Sequence, residues 1–183
     1  MVEYIIWILI CLFCLNRLIA WVTIFKEWKW PKWYGTTVVS ITGISLICLP
    51  LAPQPRLGSD IFSLLWRIVG IIVLVSGIFI MRLGDKEFHK MNIRPDTITT
   101  KLVNTGVYSI VRHPQYLGLN SSFVGLSLIL GAIYCFYLIP FIIFLNWLQA
   151  FLEDKYILEK RFGNEYREYK KKVGMFLPKI MRR

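Results

Sequence analysis

The sequence predicts an all-α integral membrane protein with about five transmembrane helices and a C-terminal amphipathic cytosolic helix. Three observations carry this. Hydrophobic residues make up 56% of the 183 residues and the mean hydropathy is +0.53, too apolar for an ordinary water-soluble domain. Five apolar runs follow one another, at residues 4–25, 36–51, 61–81, 116–130 and 132–152. Of the net charge of +11, all but +1 sits in segments 26–34, 82–114 and 151–183, with net charges of +2, +3 and +5. Five crossings put all three basic segments on one side. Basic flanks mark the cytosolic face, so the N-terminus is expected outside and the C-terminus in the cytosol. Charge interleaved with membrane spans speaks for anionic lipid as the partner, and against nucleic acid.

A helix crossing a bilayer needs about 20 apolar residues. The first run meets this; it lacks a basic start and a small-residue cleavage site, so it reads as a retained helix. Cys11 and Cys14 share one face of it. With Cys48 and Cys135 they read as structural thiols, since zinc would want two more nearby ligands and no metal site is expected. Arg17 and Arg67 fall inside apolar runs, near enough to the ends to snorkel to an interface. Trp28, Trp30, Trp33 and Tyr34 follow the first run as an interfacial aromatic belt. Pro50, Pro53 and Pro55 mark a turn on the far side.

The second and fourth runs are short, or tilted. Gly131 separates the last two, which read as a tight helical hairpin. Gly118, Ser121, Ser122 and Gly125 recur at helical spacing on the fourth. Small residues there allow close helix packing and would leave room for a ligand. After the fifth run, Ile157, Leu158, Phe162, Tyr166 and Tyr169 recur at spacings of three and four among charges. That is an amphipathic helix, bent at Gly163, with Lys170 to Lys172 as a solvated or lipid-facing cluster. The chain thus reads as one membrane domain, 1–183: three N-terminal spans in 1–81, a cytosolic loop 82–114, a helical hairpin 115–152 and an amphipathic segment 153–183.

Chemistry concentrates at the stretch 106–118. Pro114 suits the first turn of a helix, because its missing N–H is not needed there. Arg112 and His113 then stand just outside a helix start, which presents free N–H groups and a partial positive charge. With Tyr116 they offer a site for an anionic or polar ligand; the plain alternative is a basic cytosolic flank. On the fifth run Asn146, Gln149 and Glu153 share one helix face, and Asp154 follows. The last two runs are antiparallel neighbours, so Arg112 and His113 meet Glu153 and Asp154. This is either a set of interfacial salt bridges or a polar pocket open to cytosol and lipid.

The segment Arg112-His113-Pro114-Gln115-Tyr116-Leu117-Gly118, the acidic pair, and 162–169 (FGNEYREY) together resemble the isoprenylcysteine carboxyl methyltransferase family, membrane lipid methyltransferases akin to phospholipid methyltransferases. The resemblance covers about residues 101–178. It implies a membrane enzyme using S-adenosylmethionine, with the cofactor entering from the cytosol and a lipid or prenylated acceptor from the bilayer. It implies cofactor contacts at His113, Pro114, Tyr116, Glu153 and Asp154, and catalytic places for Arg112 and His113, Arg112 facing the acceptor carboxylate or organising the pocket. Asn146 and Gln149 would line the acceptor side. The second acidic residue is aspartate where the family usually has glutamate, and the interval to Phe162 is one residue longer. Either acid can be the main cofactor contact.

The favoured reaction is O-methylation of a carboxylate such as that of an isoprenylcysteine. A carboxylate is ionised near pH 7 and needs no base; a phenol or amine would need one, and His113 suits that role. Segment 101–111 is expected to fold over the cofactor as a lid. An NADPH-dependent membrane reductase of the sterol reductase type shares an RHPxY-like C-terminal half, and a non-catalytic membrane scaffold is the other alternative. No feature of the sequence speaks to oligomeric state.

Overall fold

The structure is a computed structural model that describes residues 2–26, 32–58, 61–91 and 101–179. Among these residues the fold is helical, with two isolated bridges and no sheet. Six α-helices follow in order: α1 (Val2–Lys26), α2 (Lys32–Leu51), α3 (Ile61–Lys90), α4 (Pro114–Leu130), α5 (Ile133–Glu153) and α6 (Glu159–Lys172). A 3-10 turn at Gly106–Ser109 precedes α4, and a π-helical turn at Asp154–Leu158 joins α5 to α6. The expected belt of Trp28, Trp30, Trp33 and Tyr34 lies outside the described side chains.

The protein is built as an integral membrane protein. Tyr4–Ile24, Ser63–Lys90 and the helical stretch from Ile133 are each long and apolar enough to cross a bilayer, and Ser40–Leu51 is a shorter apolar helix. α3 turns Leu64, Leu65, Ile68, Ile71, Ile72, Val75 and Phe79 outward, all substantially exposed. So much contiguous apolar surface suits lipid and not water. The buried core lies between α1, α2, α4 and α5, where Phe13, Leu46, Leu49, Phe123, Cys135 and Ile142 pack together.

α3 continues to Lys90, nine residues past the end of its apolar run at Met81, so the expected loop 82–114 begins as helix. Hydropathy falls where the membrane ends, whereas helix formation does not depend on it. Residues 82–90 are mostly good helix formers, and Glu87 and Lys90 pair one turn apart at 2.6 Å.

Gly118 and Gly125 do allow close packing, but α3 takes all of the space. A Cβ at Gly77 would stand 2.7 Å from the Gly118 carbonyl oxygen, and one at Gly125 would stand 2.5 Å from the Leu74 nitrogen. The room for a ligand expected beside these glycines is therefore absent. The hairpin turn forms as expected: Gly131 caps α4 at φ +58, a conformation that favours glycine. Leu57 N–H donates to the Gly131 carbonyl at 2.9 Å, tying the α2–α3 turn to the hairpin. Arg67 reaches outward, its Nη2 3.5 Å from the Gly58 carbonyl, as a snorkelling side chain would.

Candidate active site

The site forms where α4 begins and α5 ends. His113 is the residue before α4, at φ −124 and ψ 63, and Pro114 occupies the first turn. The backbone leading into it is clamped by the chain's own C-terminal segment. Arg112 N–H donates to the Gly174 carbonyl at 2.9 Å and His113 N–H to that of Met175 at 3.1 Å. Tyr169 adds a bond from its hydroxyl to the Tyr108 carbonyl at 2.5 Å. These contacts hold Arg112 and His113 at a fixed height over the end of α5.

Asp154 lies beneath them and is fully buried. Its Oδ2 accepts Nη1–H of Arg112 at 2.6 Å, and its Oδ1 accepts Nε2 of His113 at 2.6 Å. Tyr166 donates its hydroxyl to the same Oδ1. With the carboxylate ionised, Nε2 carries the proton, and Nδ1 of a neutral ring is the basic nitrogen. Asp154 also opens the π-helical turn. A π-turn holds one more residue than an α-turn, so it shifts every residue after Asp154 around the helix axis. Gly163, at φ +53, then bends α6 so that Tyr166 returns to Asp154.

Glu153 points elsewhere. It is half-buried, and its Oε1 accepts the Tyr116 hydroxyl at 2.5 Å and the Gln149 amide at 2.9 Å. Further into the membrane, the fully buried Asn146 donates to Asn120 Oδ1 at 2.6 Å. Its own Oδ1 accepts Nη2–H of Arg17 at 2.7 Å. The Arg17 guanidinium also stands over the Tyr116 ring, 5.8 Å from its centroid. One polar path therefore runs from Asp154 at the start of the π-helical turn, past Glu153 and Tyr116, to Asn146 and Arg17.

Along this path several buried polar atoms have no partner: Nε of Arg17, Nε of Arg112 and Oε1 of Gln149. Buried donors and acceptors left unpaired cost about 1–3 kcal/mol each. The unpaired Nε of Arg112 and Oε1 of Gln149 fit a ligand bearing both signs of charge, with the Glu153 carboxylate suited to its positive groups. A largely apolar cleft lined by Ile6, Trp7, Tyr134 and Tyr137 lies at the far end of α1 and α5, away from this chemistry.

Residues 62–165 match the family model described as phospholipid methyltransferase. The chain belongs to this family. The match spans the whole stretch from Arg112 to Asp154 but stops short of Tyr166 and excludes Arg17. Among curated relatives, the protein-S-isoprenylcysteine O-methyltransferase of Saccharomyces cerevisiae is 40% identical over 80 residues, 43% of this chain and 33% of that one. Its counterpart in Xenopus laevis is 28% identical over 126 residues, 66% of this chain and 44% of that one. The methanethiol S-methyltransferase of Pseudomonas deceptionensis is 29% identical over 193 residues, 96% of this chain and 72% of that one. The chain thus spans about a third to three-fifths of the isoprenylcysteine relatives it matches. No solved structure matches it. The similarity to isoprenylcysteine carboxyl methyltransferases read from the RHPxY segment stands on these relatives.

Within this family member, the residues singled out from sequence come together: Arg112, His113, Pro114, Tyr116, Asn146, Gln149, Glu153 and Asp154 all lie at the α4–α5 end. Segment 101–111 is anchored between α3 and α6: Thr105 donates to Glu87 at 2.8 Å, and Val103, Tyr108 and Val111 are buried. Burial, reinforced by the Asp85 carboxylate, raises the Tyr108 phenol well above its ordinary range, so it stays neutral. A further expectation is corrected. Arg17 does not snorkel: it is 3% exposed and turned into the bundle. Depth in the membrane was legible, but the side facing α5 was not. Sequence reasoning also missed Tyr166, which it treated as one position of an apolar stripe, and Asn120. A signal existed for Arg17, since an ionisable residue inside a membrane helix usually marks function.

Proposed function

We propose that this protein is an S-adenosylmethionine-dependent methyltransferase acting on a membrane-embedded acceptor, with isoprenylcysteine carboxylates as the first acceptor class. The observation that carries this is the meeting of the Arg112-His113-Pro114 segment with the Glu153–Asp154 pair at the end of α5, beside buried polar atoms that have no partner. The names of the relatives support the same reaction class.

In this reading Glu153, Gln149 and Tyr116 hold the polar groups of the cofactor, and His113 and Pro114 border it. Asp154 has both oxygens committed to Arg112, His113 and Tyr166, so it positions these residues and leaves direct cofactor contact to Glu153. When bound, S-adenosylmethionine supplies a methyl group on a cationic sulfur; the acceptor's lone pair bonds that carbon while the old C–S electron pair returns to sulfur. What the protein adds is alignment of the two reactants and exclusion of water. Arg112, whose Nη1–H is committed to Asp154, organises the site, and segment 101–111 walls the cytosolic side.

A second acceptor class has its own support. The methanethiol S-methyltransferase relative aligns with nearly the whole chain, including the N-terminal helices through which an acceptor would arrive. A thiol must lose its proton before it attacks. Nδ1 of His113, in a ring oriented by Asp154, would take it.

Titration of detergent-purified protein with S-adenosylhomocysteine and with NADPH is the test. Binding of the first and not the second is expected; binding of NADPH alone would favour the reductase alternative, and binding of neither a scaffold.

We further propose the topology of one membrane domain, 1–183, with five crossings and a cytosolic site and C-terminus. Its support is the clustering of basic segments on one side. Cysteines introduced at Pro55 and Lys179 in a protein relieved of its native thiols should react with an impermeant reagent from opposite sides. Labelling of both from one side would remove this topology.

A further inference from the structure

Arg17 is the buried cation that the proposed mechanism leaves without a task. It comes from α1, outside the family-matched region. Phe13 and Tyr116 rings lie 5.2 and 5.8 Å from its guanidinium carbon. Nη2–H donates to Asn146 Oδ1 at 2.7 Å, and Nε has no partner. Among the described residues no carboxylate forms an ion pair with it. Asn146 is a fixed support, because its amide is committed to Asn120.

A guanidinium does not shed its proton, so burial cannot be relieved by neutralisation. Burying a charge against neutral partners alone is costly, and the cost persists in a native fold when an anion arrives to use the charge. The position narrows which anion. Asn146 lies seven residues before Glu153 on α5, about 10 Å deeper into the membrane at about 1.5 Å per residue. Arg17 stands beside it, against the Tyr116 ring and deeper along α5 than Glu153. A cofactor coming from water is met first at Glu153; an acceptor arriving between helices is met first at Arg17.

We infer that Arg17 binds the anionic reacting group of the methyl acceptor, a carboxylate or a thiolate, from the membrane side of the pocket. The inference rests on the methyltransferase reading above. Asn146 and Asn120 position the guanidinium, and the two rings restrict its approach to one edge. For a thiol acceptor the adjacent cation also raises the fraction present as thiolate.

Two variants in the full chain test this, Arg17→Lys and Asn146→Asp. The first keeps the charge and loses the planar edge. The second gives Arg17 an internal carboxylate that competes with the acceptor. Affinity for S-adenosylhomocysteine, unfolding temperature, and methyl transfer to a farnesylated cysteine and to a small alkanethiol are measured on each, with binding of the farnesylcysteine amide as the uncharged control. Arg17→Lys should hold cofactor affinity within about twofold, raise KM for the anionic acceptor about tenfold or more, and leave amide binding unchanged. Asn146→Asp should weaken the acceptor at least as much, with the Asn120 amide turned to donate to the new carboxylate.

Equal loss of cofactor and acceptor affinity in Arg17→Lys would reassign Arg17 to the cofactor carboxylate and overturn the inference. An unchanged KM in both variants, with only unfolding temperature shifted, would leave Arg17 a packing residue and overturn it too. A parent protein that does not bind S-adenosylhomocysteine, or methylates neither acceptor, removes the inference along with its foundation. A parent that does both, beside unaffected variants, removes the inference alone.

Discussion

Asp154→Asn should destabilise the protein by about 3–5 kcal/mol, the usual cost of leaving one member of a buried ion pair without its partner. The carboxylate is fully buried and receives Arg112, His113 and Tyr166 together. An amide has one acceptor oxygen and two donor hydrogens. At least one of the three donors would then face an N–H, and the Arg112 charge would lose its counterion. The residues that share this carboxylate come from the start of α4, the π-turn and α6, so all three elements should loosen at once. Thermal unfolding in detergent should show a midpoint lowered by about 6–20 °C for a protein of this size. S-adenosylhomocysteine binding should weaken in parallel, because His113 borders the proposed pocket. A variant with the parental midpoint would show that the network contributes nothing to stability.

Glu153→Gln should separate what Asp154→Asn joins. Glu153 is half-buried, and its described partners, Tyr116 and Gln149, are neutral donors. Glutamine retains an oxygen for one of them and the same volume. The midpoint of unfolding should therefore stay close to the parental value. What is lost is negative charge where a cofactor's cationic group would sit. A charge-assisted hydrogen bond is worth roughly 1.5–3 kcal/mol, so affinity for S-adenosylhomocysteine should fall about ten- to a hundredfold. Parental affinity in Glu153→Gln would assign Glu153 to structure and move the cofactor contact elsewhere. If both variants lose stability and affinity to the same degree, the two acids act as one unit and the division between them disappears.

Much of this architecture follows from local chemistry. Pro114 starts α4 because a proline lacks the N–H that a helix interior needs. Gly131 and Gly163 turn the chain because each adopts a positive φ. The apolar runs became helices because a backbone in lipid must satisfy its own hydrogen bonds. The meeting of Arg112 and His113 with the acidic pair follows from two antiparallel helices joined by a tight turn. Each of these depends on neighbours in sequence, and so each was legible there.

Tertiary packing decided the rest. Spacing along α1 shows how deep Arg17 lies, but only the rotation of α1 against α5 turns it inward, to a partner 129 residues away. Adjacent acids point about 100° apart on a helix. Which of Glu153 and Asp154 is enclosed depended on the π-turn and on Tyr166 returning across the Gly163 bend. Small residues on α4 announced a close neighbour without saying which, and α3 filled the space where a ligand was expected. Local conformation and membrane depth are properties of short stretches of chain. The direction a buried charge faces is set by contacts between distant stretches, and no spacing rule encodes them.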